Sequence, residues 1–323
     1  MKMSRLGFLF GVLALACSVA SAQPVRTPVR MLAGFPPGGN VDILARLLAE
    51  KLSESLDRPV VVENRPGAGG QIALELVKAA APDGNTLVLT PDASLVLRPL
   101  TLKNPPYDPR TDFAAVAHTG GQDYVFAVGA NIPARDLREF ASWARANPGG
   151  ANFGSAGQGG VTHFLGLLIG EAIGVPLRQV PYKGSGPAVT ALVGGEISAT
   201  VQPIGTVVAQ AQAGRIRILA VSGSARYPAF PNVPTLAEHG YPSLTVSSWF
   251  GIFAPARTPP EIVSRMNGIF IRAMRTQSVK DKLQNLLLDV RELTPAQFAS
   301  VVNADYRRWV PVIKASGFSV ESQ

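Results

Sequence analysis

Three glycine-rich turns hold the residues best suited to chemistry. The first is Gly34-Phe35-Pro36-Pro37-Gly38-Gly39-Asn40-Val41-Asp42. It follows an apolar run and opens a helical stretch, so its backbone N–H groups lie at the positive end of a helix dipole. Gly38 and Gly39 let a ligand approach the main chain, and Pro36 and Pro37 stiffen the approach. Such a turn suits a carboxylate or phosphate. The second turn runs from Asn152 to His163 through Ser155-Ala156-Gly157-Gln158-Gly159-Gly160 and has the same plan, with Ser155 and Thr162 as hydroxyl donors. The third, Val180-Pro181-Tyr182-Lys183-Gly184-Ser185-Gly186-Pro187-Ala188, adds an aromatic face and the Lys183 cation. Two helix N-termini aimed at one cleft could hold both ends of a dianion.

Each feature also has a plain structural reading. A glycine-rich strand–helix turn is often only a turn, and a lone Lys is usually solvated. With Gly39 as N-cap, Asp42 occupies the third helical position, where its carboxylate can cap a free N–H. As a ligand contact it would suit an amino or hydroxyl group. The first turn is not a Walker loop, since no Gly-Lys-Ser/Thr follows, and it lacks the three-glycine spacing of a dinucleotide fingerprint.

Ser155 and His163 allow a rival reading as nucleophile and base of a secreted serine hydrolase. A nucleophile elbow needs glycine two residues before the serine, and that position is Phe153. His118, His163 and His239 are far apart, with no metal-ligand spacing. No catalytic residue, metal or cofactor is expected.

Strand–turn–helix units must position these turns. Val29–Ala33, Pro59–Glu63 and Thr86–Thr90 read as strands, with helices over Val41–Leu56 and Gly70–Ala80. The pattern restarts at Tyr124–Val128. It continues through helix Leu137–Ala146, strand Ala151–Gly154, helix Val161–Ala172, an extended segment at Arg178–Tyr182 and helix Pro187–Val193. Strand Ile197–Val201, helix Val207–Ala213 and strand Ile216–Ser222 complete the run. Alternation of this kind predicts an α/β fold in two lobes, each with a mixed, mostly parallel sheet flanked by helices. After strand Trp249–Ala254 come three helices. The last opens with Thr294 as N-cap, Pro295 at the first position and Gln297 closing a capping box. A tail with little sheet of its own should pack back on the first lobe. The expected limits are 23–123 with 247–323 for lobe I and 124–246 for lobe II. The chain then crosses twice, near 120–125 and 240–248, which makes a hinge.

Residues 1–22 read as a secretory signal: Lys2 and Arg5, an apolar run from Leu6 to Val19, then Ala20-Ser21-Ala22. Cleavage after Ala22 is expected, with the product in the periplasm. A lipid anchor on Cys17 is disfavoured because Ala14 stands where leucine is preferred. Loss of Cys17 removes the one cysteine, and with it disulfides, thiol catalysis and thiolate metal sites. The remaining chain carries 28 basic against 22 acidic residues. Scattered charges without aromatic interleaving argue against nucleic-acid binding. Mild positive charge suits small anions.

The ordered motifs are similar to those of the Bug receptors, the substrate-binding proteins of tripartite tricarboxylate transporters. The resemblance begins at Phe35–Gly39 with Asp42 and Ala45-Arg46, and continues through Val62–Gly70, Pro82–Leu87, Pro106–Pro109 and Asp112-Phe113. It extends through Asn152–Gly157, Val180–Pro187, Ala213–Arg217, Pro231–Thr235 and Ser248–Gly251. It implies a two-lobed periplasmic "Venus flytrap" that closes on a small mono- or dicarboxylate, held mainly by backbone amides. The partner implied is a membrane transporter or a sensor kinase, and the chain is expected to be a monomer. Carried over residue by residue, the ligand positions are Phe35, Pro37, Gly38, Gly39 and Asp42, with Ser155, Gly157, Gly160, Thr162 and His163. Departures are Gln158–Thr162, where the family has polar residues; Val201-Gln202-Pro203, with Gln202 facing the cleft; and Thr90–Ser94, where Asp92 faces the ligand.

Overall fold

The computed structural model describes residues 27–320. The expected signal peptide and its cleavage point lie outside the described residues. Nine strands form the sheet: β1 Val29–Ala33, β2 Val60–Asn64, β3 Thr86–Pro91, β4 Phe113–Gly129, β5 Asn152–Ser155, β6 Arg178–Pro181, β7 Ala199–Pro203, β8 Ile216–Val221 and β9 Ser247–Pro255. Their order is β2-β1-β3-β9-β4-β7-β5-β6, with β8 also on β4. Helices α1 Asn40–Leu56, α2 Gln71–Lys78, α3 Leu137–Ala146, α4 Val161–Ala172, α5 Ser185–Val193 and α6 Val208–Gln212 alternate with the strands. Helices α7 Pro260–Arg275, α8 Gln277–Asn285 and α9 Pro295–Ser316 follow them. This is the mixed, two-lobed α/β architecture that the alternation predicts. None of the described helices is long and apolar enough to cross a membrane.

Strand β4 joins the two halves. Up to Asp123 it pairs antiparallel with β9, and from Tyr124 it pairs antiparallel with β7 and β8. Sequence periodicity marks only residues 124–128 as strand. The first half, Phe113-Ala-Ala-Val-Ala-His-Thr-Gly-Gly, is too rich in alanine and glycine to show strand propensity. Pairing with β9 fixes it instead, with register shifts between Ala115 and Ala117 and between His118 and Gly120. At Gly121 any Cβ would run into the Ser248 carbonyl, so only glycine lets the two strands come this close.

Apolar faces explain the layers. Val41, Leu44, Leu48 and Leu52 of α1 are all buried, as their spacing predicts. Helix α9 has the full capping box, with Thr294 Oγ1 accepting the Gln297 N–H and Gln297 Oε1 accepting the Thr294 N–H. It packs on both halves. Phe298 meets Trp249 and Phe253 at centroid distances of 5.2 Å each, while Trp309 meets Phe164 of α4 at 6.3 Å. The tail therefore packs against the first half and also bridges to the second.

Candidate functional site

The register of the sheet aims the two main turns at one another. Pro91 ends β3 opposite Phe250, which also pairs with Gly120 of β4. Pro203 ends β7 opposite Tyr124 of the same strand. Strand β1 is parallel to β3, and β5 is parallel to β7. Both parallel sets therefore point their carboxyl ends at the same stretch of β4. At about 3.3 Å per residue, the four steps from Gly120 to Tyr124 separate those ends by about 13 Å along the strand. Ligands of open α/β sheets bind at such carboxyl ends.

The first turn is built on a close backbone approach. A Cβ on Gly34 would sit 2.7 Å from Gly70 Cα, and the half-buried Phe35 ring covers Gly70. Pro36 to Asn40, including Pro37, are exposed. Gly38 has φ +88°, and Gly39 caps α1 with extended backbone and no side-chain cap. The first-turn N–H groups of α1 are thus left for another acceptor. Asp42 sits at the third helical position and is buried. Its carboxylate accepts from Gly38 N at 3.0 Å, Arg46 Nε at 3.0 Å and Asn64 Nδ2 at 2.9 Å. The Arg46 bond, then those from Gly38 and Asn64, outweigh burial and hold its pKa down to about 2. Asp42 braces the turn, with its oxygens already engaged.

The second turn spends its polar side chains on its own shape. Ser155 Oγ donates to Gly157 O at 2.8 Å and accepts from Gln179 Nε2 at 2.7 Å. Thr162 Oγ1 accepts from Ala156 N at 3.0 Å, and His163 Nδ1 accepts from Gly159 N at 3.2 Å. Burial lowers the His163 pKa, which keeps the ring neutral in this acceptor role. Gly160 caps α4 without a side-chain cap, as Gly39 does for α1. Ser155 and His163 each have other partners, so no nucleophile–base pair forms. The third turn is tied to the second by Tyr182 N to Ser155 O and Gly184 N to Ala156 O, each 3.0 Å. Lys183 is exposed.

Two expected cleft residues are inward-facing. Asp92, just past β3, is buried and accepts from Ala93 N at 2.8 Å. Burial, then the nearby Asp305 carboxyl, raises its pKa well above the usual range. Gln202 of β7 is fully buried. Its Nε2 donates to Thr200 Oγ1 at 3.0 Å, and its Oε1 has no protein partner. Among the described residues no acidic, histidine or cysteine cluster could hold a metal.

Sequence reasoning missed the braces. Asn64, at the end of β2, donates to both Phe35 O and Asp42. Gln179 of β6 holds Ser155, and Thr200 of β7 donates to Gly154 O at 2.8 Å. Arg98 comes near the Ala68–Gly70 segment against which Gly34 packs, its Cδ 3.9 Å from where a Gly69 Cβ would stand. Polar residues at the ends of neighbouring parallel strands were the available signal.

A family model described as "Tripartite tricarboxylate transporter family receptor" matches residues 44–318. Protein BugT of Bordetella pertussis is 33% identical over 322 residues, spanning 98% of this chain and 99% of BugT. MatC from Rhodopseudomonas palustris, solved with bound malate, is 33% identical with a TM-score of 0.72 over 90% of this chain and 99% of its own. Another R. palustris protein, solved with adipate, is 31% identical with a TM-score of 0.75 over 91% of this chain and 98% of its own.

Proposed function

The chain belongs to the tripartite tricarboxylate transporter receptor family, a family of solute-binding receptors and not of enzymes, and from that premise we propose that it captures a small mono- or dicarboxylate. The carboxylate lies between two lobes, 23–123 with 247–323 and 124–246. One carboxylate end rests on the N–H groups of α1, beside Phe35, Pro37, Gly38 and Gly39. The other rests on those of α4, beside Gly157 and Gly160. Asp42, Ser155, Thr162 and His163 act one step back, by fixing the backbone that does the binding. Lys183 offers long-range attraction. Asp92 and Gln202 form the floor, where Gln202 Oε1 can accept from a ligand hydroxyl.

The observation that carries this reading is the pair of uncapped helix N-termini at facing strand ends. Malate and adipate, held by the two relatives, are both diacids. The protein, exported with cleavage after Ala22, serves as a periplasmic monomer that hands its ligand to a tripartite transporter or a sensor kinase.

A thermal-shift screen with malate, adipate and aromatic, amino and keto acids tests the proposal. Binding to the folded state should raise Tm in proportion to the logarithm of ligand concentration. Stabilisation by a neutral sugar and by no carboxylate would sink it.

A further inference from the structure

A large pocket lies beside the crossover strands and includes none of the turn residues described above. Its volume is about 770 Å³, within the range of small-molecule sites. The floor is β4 at Gly121–Asp123 and β9 at Ser247–Trp249. One wall is the loop after β8 at Ser224–Pro228, and the other is α9 with the chain after α8. The walls therefore come from both halves of the molecule.

One lining residue points to an occupant. His118 is only 4% exposed, lines the pocket, and its Nδ1 has no hydrogen-bonding partner among protein groups. The Arg291 main chain lies close to the ring, and Phe298 holds it edge-on at a centroid distance of 5.6 Å. Burial, with Arg291 nearby, lowers its pKa to about 4, so at neutral pH the imidazole is uncharged and Nδ1 is an acceptor. A buried acceptor without a partner destabilises the fold unless something supplies a donor.

Acidic and basic side chains both line the pocket. Asp123 already accepts from the Ser247 hydroxyl and Asp305 from Trp249 Nε1, and burial raises both carboxyls. Arg226 is engaged by Glu238. Arg291 stands 4.0 Å from the well-exposed Asp289, and Arg308 3.4 Å from Asp305. Arg291 and Arg308 thus bring two guanidinium groups to the pocket wall, where they can meet an anionic group. Leu287, Leu288, Leu293 and Trp249 supply apolar surface.

We propose that this pocket is a second binding site, separate from the space between the two turns, for an aromatic or aliphatic anion that carries a hydrogen-bond donor for His118. The donor meets Nδ1, the anionic group lies between Arg291 and Arg308, and the body covers Trp249.

The dye 8-anilinonaphthalene-1-sulfonate has all three features: an N–H, a sulfonate and an aromatic body. A fluorescence titration of the intact exported protein should show one saturable site. Ala304 is exposed on α9 at the pocket wall, and Ala304→Trp should block that site without disturbing the core. His118→Phe keeps the contact with Phe298 and should weaken dye binding about five- to tenfold, as expected for one lost hydrogen bond. Gly160→Val, at the α4 N-terminus, should leave dye binding unchanged. An absent saturable signal in the native protein overturns the proposal, and so does an Ala304→Trp titration that matches it. Loss of binding in Gly160→Val would place the dye between the turns and refute a separate site. Undiminished binding in His118→Phe would refute the donor contact. Carboxylate thermal shifts are read independently, so failure here leaves the proposed function standing or falling on its own test.

Discussion

The carboxylate of Asp42 accepts the main-chain N–H of Gly38 at 3.0 Å, so a residue in the first turn of α1 fixes the loop that precedes it. Arg46 and Asn64 hold the same carboxylate from the other sides. Asp42→Ala should therefore cost about 1–2 kcal/mol, the range of a lost helix cap, and also loosen carboxylate binding. The folded pKa lies below the unfolded one, so this stability is present above the unfolded value and is lost as pH falls through about 2. Urea unfolding of Asp42→Ala and the native protein should show a gap at pH 7 that narrows below about pH 4. A gap independent of pH would contradict the ionised brace.

Gly39 and Gly160 have backbone angles open to any residue, and a Cβ on either meets nothing closer than 3.9 Å. Gly39→Val and Gly160→Val should fold with near-native Tm while placing a branched side chain over the N–H groups. Carboxylate affinity should fall at least about tenfold, the equivalent of about 1.4 kcal/mol. Isothermal titration beside thermal melts checks this. Unchanged affinity in both variants would move the ligand elsewhere.

The success and failure of sequence reasoning divide along the range of the interaction. Helices α3 and α4 fall at the predicted bounds, because capping and 3.6-residue periodicity are local. The first half of β4 was invisible because its strand character comes from β9, more than a hundred residues away. The turns around Gly38 and Gly157 were legible as glycine between strand and helix. The use of Ser155 was not, because Gln179 reaches it only through the β5–β6 register. Asn64 was hidden for the same reason, as its neighbours Phe35 and Asp42 are set by the pairing of β1 with β2.

Gly121 tests how strictly the crossover is built. A methyl group there would press on the Ser248 carbonyl, in a backbone contact that no rotamer change can relieve. Gly121→Ala should cost about 1–3 kcal/mol, as overpacking does, with a matching fall in the urea midpoint. A neutral result would show that β4 and β9 can slide apart.

Phe318 sits edge-on to His163 at 5.5 Å and to Phe164 at 5.9 Å, while Val320 N bonds Thr101 O at 3.0 Å. The segment from Phe318 to Val320 thus clasps the second turn to the first half. Phe318→Ala should lower stability by about 1–2 kcal/mol and raise hydrogen exchange at Gly157–Gly160. Exchange that is unaltered there would show that the clasp does not restrain the turn.

Asp92 gives the opposite pH behaviour to Asp42. Burial, then Asp305, raises its pKa, whereas its bond from Ala93 N works the other way. The fold tolerates the protonated acid. Its stability is therefore highest below the unfolded value of about 3.9 and declines as pH rises toward the raised folded value. Asn at this position keeps an acceptor for Ala93 N and removes the proton that folding must otherwise bind. Asp92→Asn should therefore stabilise the protein at pH 7 by about 1 kcal/mol or more, with the advantage vanishing below about pH 4. If Asp92 reads a ligand donor instead, the same substitution weakens carboxylate binding, so melts and titrations of one variant separate the two roles. A loss of stability at neutral pH would mean that the carboxylate is ionised and paired in the folded state.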